Sequence, residues 1–190
     1  VVISNELIKY KNVIKKNCKN IKFAIQSKQL GTADAVRCAL NEKLSTNSNI
    51  SLILYGDTPL ISDISLKKCL ERFKKRNSDL CVLSMTPPNT NHSYGRLITK
   101  KDRLEKIIEK SESKNNQNLE NLCNTGIMLV KTKHLIEKLR KINDRNNKKE
   151  FFLTDLIEIL STEGYKVSHM EFPYHEFLGV NDKSDHALVE

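Results

Sequence analysis

Short runs of apolar, largely β-branched residues alternate along the chain with segments in which apolar residues recur at helical spacing. The clearest run, 49–54, is almost continuously apolar, which is typical of a strand buried on both faces of a sheet. In the segment 32–44, Ala33, Val36 and Leu40 share one helical face. This alternation predicts an α/β domain whose mostly parallel sheet is covered by helices.

The middle of the chain departs from this pattern. Strand-like stretches at 96–99 and 104–109 flank a turn, which favours an antiparallel pair inserted among the other strands. The sheet is therefore predicted to be mixed. Two last strands are expected at 167–172 and 177–180.

The composition indicates a globular chain that neither spans a membrane nor depends on disulfides. No apolar run in its 190 residues approaches the roughly 18 needed to cross a bilayer. Five cysteines, an odd number without a Cys-x-x-Cys spacing, argue against disulfides and zinc and favour a reducing, cytoplasmic location. The net charge is +9, but the lysines that produce it are spread along the whole chain among many asparagines and isoleucines and do not form a stripe. Nucleic-acid binding is therefore kept only as a minor alternative.

A Gly-Asp pair follows the apolar run 49–54, and a turn containing Pro59 comes next. In open α/β sheets, ligands bind beyond the carboxyl ends of the strands, which is where Asp57 is expected. Mg²⁺ is commonly held by one or two carboxylates together with substrate phosphates. Asp57 is therefore a candidate metal ligand, and the alternative is an aspartate that only caps the following turn.

The segment 26–36 is predicted to connect a strand to a helix through residues that suit a nucleobase. Gly31 permits close approach of the backbone, and Thr32 can begin a helix. The amide of Gln26 offers both a donor and an acceptor, as the edge of a base requires. An ordinary connection without a ligand is the alternative.

Separate polar residues stand at other predicted strand ends. They are Gly95 between Tyr94 and Arg96, Glu109, Asn124 before the run 127–130, and Asn181 after Gly179-Val180. Each is common in turns, but together they could converge on one side of a sheet and form a sugar-binding pocket. No Ser-His-Asp or Cys-His order points to a nucleophile.

Taken in order, these segments resemble the uridylyltransferase domain of the bifunctional N-acetylglucosamine-1-phosphate uridylyltransferases, the GlmU family. The residues that carry the resemblance are Gln26, Gln29-Leu-Gly-Thr32, Leu54-Tyr-Gly-Asp-Thr-Pro-Leu-Ile61, Tyr94-Gly-Arg96, Ile107-Ile-Glu109, Asn124-Thr-Gly-Ile127, Glu150-Phe-Phe-Leu-Thr-Asp155 and Gly179-Val-Asn181. This ordered set covers nearly all of the chain, whereas Gly-Asp-x-Pro-Leu alone would indicate only the wider nucleotidyltransferase superfamily.

The resemblance implies a Rossmann-like nucleotidyltransferase fold, incomplete at its N-terminus. It also implies an enzyme that forms UDP-N-acetylglucosamine and pyrophosphate from UTP and N-acetylglucosamine-1-phosphate by in-line attack, without a covalent intermediate. The implied contacts are Gln26, Gly31 and Thr32 to the base, Tyr55, Gly56 and Asp57 to the phosphate and sugar region, and Gly95, Glu109 and Asn124 to the sugar. Asp57 and Asn181 are the implied Mg²⁺ ligands and catalytic residues.

The chain also departs from the family pattern. Neither the Gly-rich triphosphate loop nor the hexapeptide repeats of the acetyltransferase β-helix domain occur in residues 1–190. These residues are therefore interpreted as a partial uridylyltransferase domain, which is expected to be inactive alone. For the parent enzyme, the resemblance implies acetylation of glucosamine-1-phosphate and a homotrimer assembled through the β-helix domain. Asp34 stands where family members often carry a histidine.

Two further alternatives are left open. The first is a thymidylyl- or guanylyltransferase, against which the Asn124-Thr-Gly and Gly179-Val-Asn181 signatures argue. The second is a non-catalytic regulatory module on the same fold, against which the retention of Asp57 and Asn181 argues.

Overall fold

The computed structural model describes residues 1–18, 20–42, 48–89, 92–101, 103–112, 121–180, 183 and 187. The strands within these residues are β1 (Val2–Ser4), β2 (Ala24–Gln26), β3 (Ile50–Ile53), β4 (Leu80–Met85), β5 (Arg96–Lys100), β6 (Arg103–Ile108), β7 (Cys123–Lys131) and β8 (Val167–Glu171). The helices are α1 (Lys11–Asn17), α2 (Thr32–Asn41), α3 (Asp63–Lys75), α4 (Thr132–Lys138) and α5 (Asp155–Thr162). Short 3-10 turns occur at Asn5–Tyr10, Lys110–Glu112, Leu139–Lys141 and Tyr174–Phe177.

Strands β3 to β8 form one six-stranded sheet, and β1 and β2 form a separate parallel pair. The order in the larger sheet is β6-β5-β7-β4-β8, and β3 also pairs with the second half of β7. The long strand β7 is therefore central, because it runs antiparallel to β3, β4 and β5.

Apolar side chains of the central strands pack on both faces of this sheet. All six residues of β4 are buried, and successive residues face opposite sides, as in any strand. Leu80 and Val82 pack in a cluster with residues of α2, α4 and α5. Cys81, Leu83 and Met85 pack in a second cluster with residues of α3 and the chain around Phe177. Helices therefore cover both faces, which confirms the predicted α/β architecture.

The predicted mixed sheet is confirmed, but its mostly parallel character is corrected. Among the described strand pairs, β1–β2 and β4–β8 are parallel, and the other four pairs are antiparallel. The reason is that β7 returns after the β5–β6 hairpin and lies antiparallel between β3 and β4.

Two local predictions are wrong. The run 49–54 does form β3, but Leu52 and Leu54 are 43% and 47% exposed. Strand β3 pairs only with β7 among the described strands. Residues 177–180 are not a strand, since a 3-10 turn ends at Phe177 and irregular chain follows. Of the described helices, none is long and apolar enough to cross a membrane.

Candidate functional site

Tyr55 lies at the centre of the predicted site. It shares a side-chain hydrogen bond with Thr32, and its ring lies so close to Gly126 that a Cβ there would be 2.5 Å from its Cε2 atom. Burial raises the pKa of Tyr55 to about 12, with the negative charges of Glu109 and Asp57 adding to the rise and the Thr32 bond opposing it. The phenol therefore stays protonated at neutral pH.

The three predicted base contacts, Gln26, Gly31 and Thr32, line one cavity of about 440 Å³. Gln26 ends β2, and Gly31 and Thr32 begin α2, so the β2–α2 connection forms one wall. Strand β1 and Glu150 contribute the other walls. The structure therefore brings the three residues together around a space that a base could occupy.

Gly31 is pressed against the backbone of Phe151. A Cβ atom at Gly31 would lie 2.6 Å from the carbonyl oxygen of Phe151 and 2.8 Å from its nitrogen, and the φ angle of Gly31 is +112°. Backbone hydrogen bonds fix this contact, because Phe151 donates to the carbonyl of Leu30 (2.8 Å) and Ala33 donates to the carbonyl of Phe151 (2.9 Å). Only glycine satisfies both the backbone angle and the spacing.

Leu153 and Thr154 connect the cavity beside Gln26 to the predicted sugar pocket. The Leu153 N–H donates to the hydroxyl oxygen of Thr32 (2.9 Å), and the Thr154 hydroxyl donates to Glu109 Oε1 (2.8 Å). Sequence reasoning used 150–155 only as part of the resemblance and assigned these residues no role. The sequence did offer one signal, because Thr154 lies in a largely apolar segment. A threonine buried there needs a hydrogen-bond partner for its hydroxyl group.

The predicted sugar contacts Gly95, Glu109 and Asn124 are neighbours. The Asn124 N–H donates to the Gly95 carbonyl (2.8 Å), and a Cβ at Gly95 would lie 3.2 Å from Glu109 Oε2. The side-chain oxygen of Asn124 accepts from the Gly126 N–H (2.9 Å). The amide of Asn124 is thereby oriented, with its amino group as the remaining donor.

The loop after β3 carries Gly56 and Asp57, and both residues are exposed. The carbonyl oxygen of Asp57 accepts a hydrogen bond from the backbone N–H of Val180 (2.8 Å). Val180 immediately precedes Asn181, which lies outside the described residues. The chain leading to Asn181 is thus attached to the Asp57 loop.

A second contact, which sequence reasoning missed, anchors the same C-terminal segment. Glu176 accepts hydrogen bonds from the backbone and hydroxyl of Ser62 (3.1 and 3.0 Å) and from the hydroxyl of Ser65 (2.9 Å). Burial opposes ionisation of Glu176, but these hydrogen bonds outweigh it and lower its pKa. Glu176 therefore ties the segment to the first turn of α3, which begins shortly after Asp57.

Asp155, next to Thr154, lies in an environment that disfavours its charge. Burial raises the pKa of Asp155 from 3.8 to about 6, and the charges of Glu158, Glu109 and Glu112 add to the rise. Because the folded state binds this proton more tightly than the unfolded state, the free energy of unfolding falls as pH rises from about 4 to 6 and stays lowered above that range.

We expect Asp155→Asn to stabilise the protein at pH 7.5 but not at pH 4. The gain should be about 1 kcal/mol, because the side chain is half-exposed and solvent screens its neighbours. Unfolding in urea at both pH values measures it. Asp144→Asn, at an exposed loop position, should change neither value, and an equal effect of Asp155→Asn at both pH values would contradict the assignment.

Most of the chain matches a known protein family. The family model described as nucleotidyl transferase matches residues 3–175. The chain belongs to the nucleotidyl transferase family. The prediction of a nucleotidyltransferase enzyme is thereby confirmed.

Curated relatives of this nucleotidyl transferase carry the name bifunctional protein GlmU. The protein from Brucella anthropi is 36% identical over 177 residues, which are 93% of this chain and 38% of that protein. The protein from Buchnera aphidicola is 38% identical over 171 residues, 90% of this chain and 36% of that protein. The chain therefore spans well under half the length of these relatives.

A solved structure shares the fold of this nucleotidyl transferase. It is a nucleoside-diphosphate-sugar pyrophosphorylase from Vibrio cholerae, with a TM-score of 0.71 over 98% of this chain and 77% of that one. Sequence identity is 14%, so the likeness bears on the fold alone.

Proposed function

We propose that this nucleotidyl transferase transfers a uridylyl group, forming UDP-N-acetylglucosamine and pyrophosphate from UTP and N-acetylglucosamine-1-phosphate. One observation carries the proposal: Thr32, which lines the cavity beside Gln26, is hydrogen-bonded to Leu153, and the next residue, Thr154, is hydrogen-bonded to Glu109. A nucleotide sugar has a base at one end and a sugar at the other, and this arrangement offers a place for each. The similarity to bifunctional GlmU proteins supports the same reaction.

At the sugar end, Glu109 is the strongest candidate acceptor. Thr154 donates to one of its oxygens and Gly95 leaves room beside the other. A carboxylate forms stronger hydrogen bonds with hydroxyl groups than a neutral acceptor does. The side-chain amino group of Asn124, whose backbone is hydrogen-bonded to Gly95, adds a donor. Together they match a sugar with both hydroxyl and carbonyl groups, such as an N-acetyl hexosamine.

The residues present fit a magnesium ion. Asp57 offers an exposed carboxylate in the loop that follows β3. One carboxylate suits Mg²⁺, since water and substrate phosphates complete its coordination. Asp57 would hold it, together with the amide of Asn181, the residue that follows Val180. When bound, the ion neutralises phosphate charge and acts as a Lewis acid.

The protein's own contribution to the transfer is positioning. Gln26 and Thr32 hold the base, and Glu109 and Asn124 hold the sugar. A sugar phosphate oxygen then attacks the α-phosphorus of UTP, and the bond to pyrophosphate breaks. Holding two reactants in line replaces a bimolecular encounter and can supply several orders of magnitude in rate. Tyr55, protonated between the two sites, can donate a hydrogen bond to a phosphate or sugar oxygen.

For a complete protein of the length of its GlmU relatives, we further propose the second activity and assembly implied by the resemblance. These are acetylation of glucosamine-1-phosphate and a homotrimer formed through a β-helix domain.

The reaction is tested with the complete gene product. Pyrophosphate release is measured with UTP, dTTP, GTP or CTP, each paired with N-acetylglucosamine-1-phosphate or glucose-1-phosphate. UTP with N-acetylglucosamine-1-phosphate should be the best pair. A preference for dTTP or GTP would indicate another sugar nucleotidyltransferase, and no release with any pair would indicate a regulatory module.

Glu109→Ala should raise the KM for the sugar phosphate roughly tenfold or more, because a charged hydrogen bond is lost. The KM for UTP should change much less. Glu112→Ala is the matched control, since it removes a carboxylate that contacts Asn147 in an exposed loop. Equal increases in both KM values for Glu109→Ala would show that Glu109 does not contact the sugar.

A further inference from the structure

Both N–H groups of the Gln26 side chain are engaged within the protein. Nε2 donates to the carbonyl oxygen of Gly31 (3.0 Å) and to Oδ2 of Asp34 (2.9 Å). A primary amide has two N–H groups, so these bonds use its whole donor capacity. Because Gln26 lines the base cavity, its carbonyl oxygen is the polar atom left for a ligand.

Asp34 and the Gly31 carbonyl both bind the amino group of this amide and so fix its orientation. The opposite orientation would place the Gln26 oxygen against the Gly31 carbonyl and the Asp34 carboxylate, and all three groups are acceptors. A histidine or asparagine in place of Asp34 could donate instead and so tolerate either orientation. An ionised aspartate can only accept. Asp34 also lies in the first turn of α2, where the helix N-terminus favours a negative side chain.

We propose that Asp34 is a positioning residue that restricts Gln26 to the role of acceptor and thereby makes the cavity select a base edge that donates an N–H. The imide N3–H of uracil or thymine meets this requirement. Cytosine presents an unprotonated N3 at the same position, so two acceptors would face each other. The inference rests on the proposed function, because it assumes that the cavity beside Gln26 holds the base of the nucleotide.

The physical basis is the cost of an unpaired acceptor. When a ligand without the donor enters a site built around a hydrogen bond, the acceptor of the protein loses its bound water and gains no partner. The site therefore rejects this analogue more strongly than it attracts the correct ligand. If the amide could rotate freely, Gln26 would donate to cytosine as readily as it accepts from uracil. Selectivity therefore depends on the acceptors that hold Nε2, and Asp34 is the one that a side-chain substitution can remove.

The experiment compares kcat/KM for UTP, dTTP and CTP in the complete protein with saturating sugar phosphate. The variants are Asp34→Asn, which can still accept through its side-chain oxygen, and Asp34→Leu, which keeps similar bulk but cannot. The matched control is Glu42→Gln, which neutralises an exposed carboxylate just beyond the end of the same helix. Thermal unfolding of each variant reports whether the domain is folded.

The ratio of kcat/KM for UTP to that for CTP should fall roughly tenfold in Asp34→Leu and by a smaller factor in Asp34→Asn. The change should appear mainly in KM, and the dTTP-to-CTP ratio should fall in parallel. Glu42→Gln should keep the ratio of the unmodified protein. If Asp34→Leu does not fold, a lowered ratio in Asp34→Asn still supports the inference.

Two results would overturn it, and they are distinguishable. If the unmodified protein prefers UTP and both Asp34 variants keep its UTP-to-CTP ratio, Asp34 does not orient Gln26 for selection, although the proposed function stands. If the unmodified protein prefers CTP or a purine nucleotide, the proposed function and the inference fail together.

Discussion

In the complete protein, Asp57→Asn is expected to lower turnover about a hundredfold or more while the domain stays folded. Asp57 is the only carboxylate in the loop after β3, 54–62, so its loss removes the full negative charge that this loop would offer to the proposed magnesium ion. Asparagine keeps the shape of the side chain and also the backbone carbonyl that accepts from Val180. Steady-state turnover at saturating substrates, measured over a range of Mg²⁺ concentrations, checks the expectation.

The matched control for this substitution is Asp63→Asn. Asp63 lies nearby at the start of α3 and forms an exposed ion pair with Lys67, which contributes little. Its neutralisation should leave turnover and Mg²⁺ dependence unchanged. Asn181→Ala should lower turnover less than Asp57→Asn, and both site variants should need more Mg²⁺ for their remaining activity. If the turnover of Asp57→Asn depended on Mg²⁺ concentration as that of the unmodified protein does, Asp57 would not be a ligand of the metal.

The order of strands and helices could be predicted from the sequence because apolar periodicity is a local property. The pairing of strands could not, since it depends on contacts between distant segments. β7 reads as one more buried strand, yet its position between β3 and β4 makes most of the described pairs antiparallel. The run 49–54 shows the same limit: its composition indicates two buried faces, but Leu52 and Leu54 are exposed.

Sequence reasoning named residues of the candidate site but not the contacts that hold them in place. Turn residues at strand ends and the family resemblance identified Gln26, Tyr55, Glu109 and Asn124, which the structure brings into one region. The supporting contacts could not be predicted from the sequence, because they depend on how separate segments fold against each other. Thr154 reaches Glu109 across 45 positions. The bond from Gln26 to Asp34 spans only eight, but it depends on how the β2–α2 loop folds back.

Gly31→Ala is expected to destabilise the domain by about 3 kcal/mol or more and to disrupt the cavity beside Gln26. The φ angle of +112° strains any residue with a side chain, and the added Cβ would meet the backbone of Phe151 at 2.6 Å. Phe151 cannot move away cheaply, because its N–H and carbonyl are bonded to Leu30 and Ala33 on either side of the glycine. The urea midpoint of unfolding and the KM for UTP measure the two effects.

Gly164→Ala separates backbone strain from this contact. Gly164 has a φ angle of +83° but nothing within 4 Å of an added Cβ. It follows α5, and the N–H groups of Gly164 and Tyr165 donate to carbonyls in the last turn of this helix. Alanine at this position should lower the free energy of unfolding by only about 1 kcal/mol. The difference between the two variants then measures the close approach of the β2–α2 loop to Phe151. If both variants lost the same stability, Gly31 and the backbone of Phe151 would be farther apart than the 2.6 Å distance to the added Cβ implies. An unchanged KM for UTP in a folded Gly31→Ala protein would further show that the cavity beside Gln26 does not hold the base.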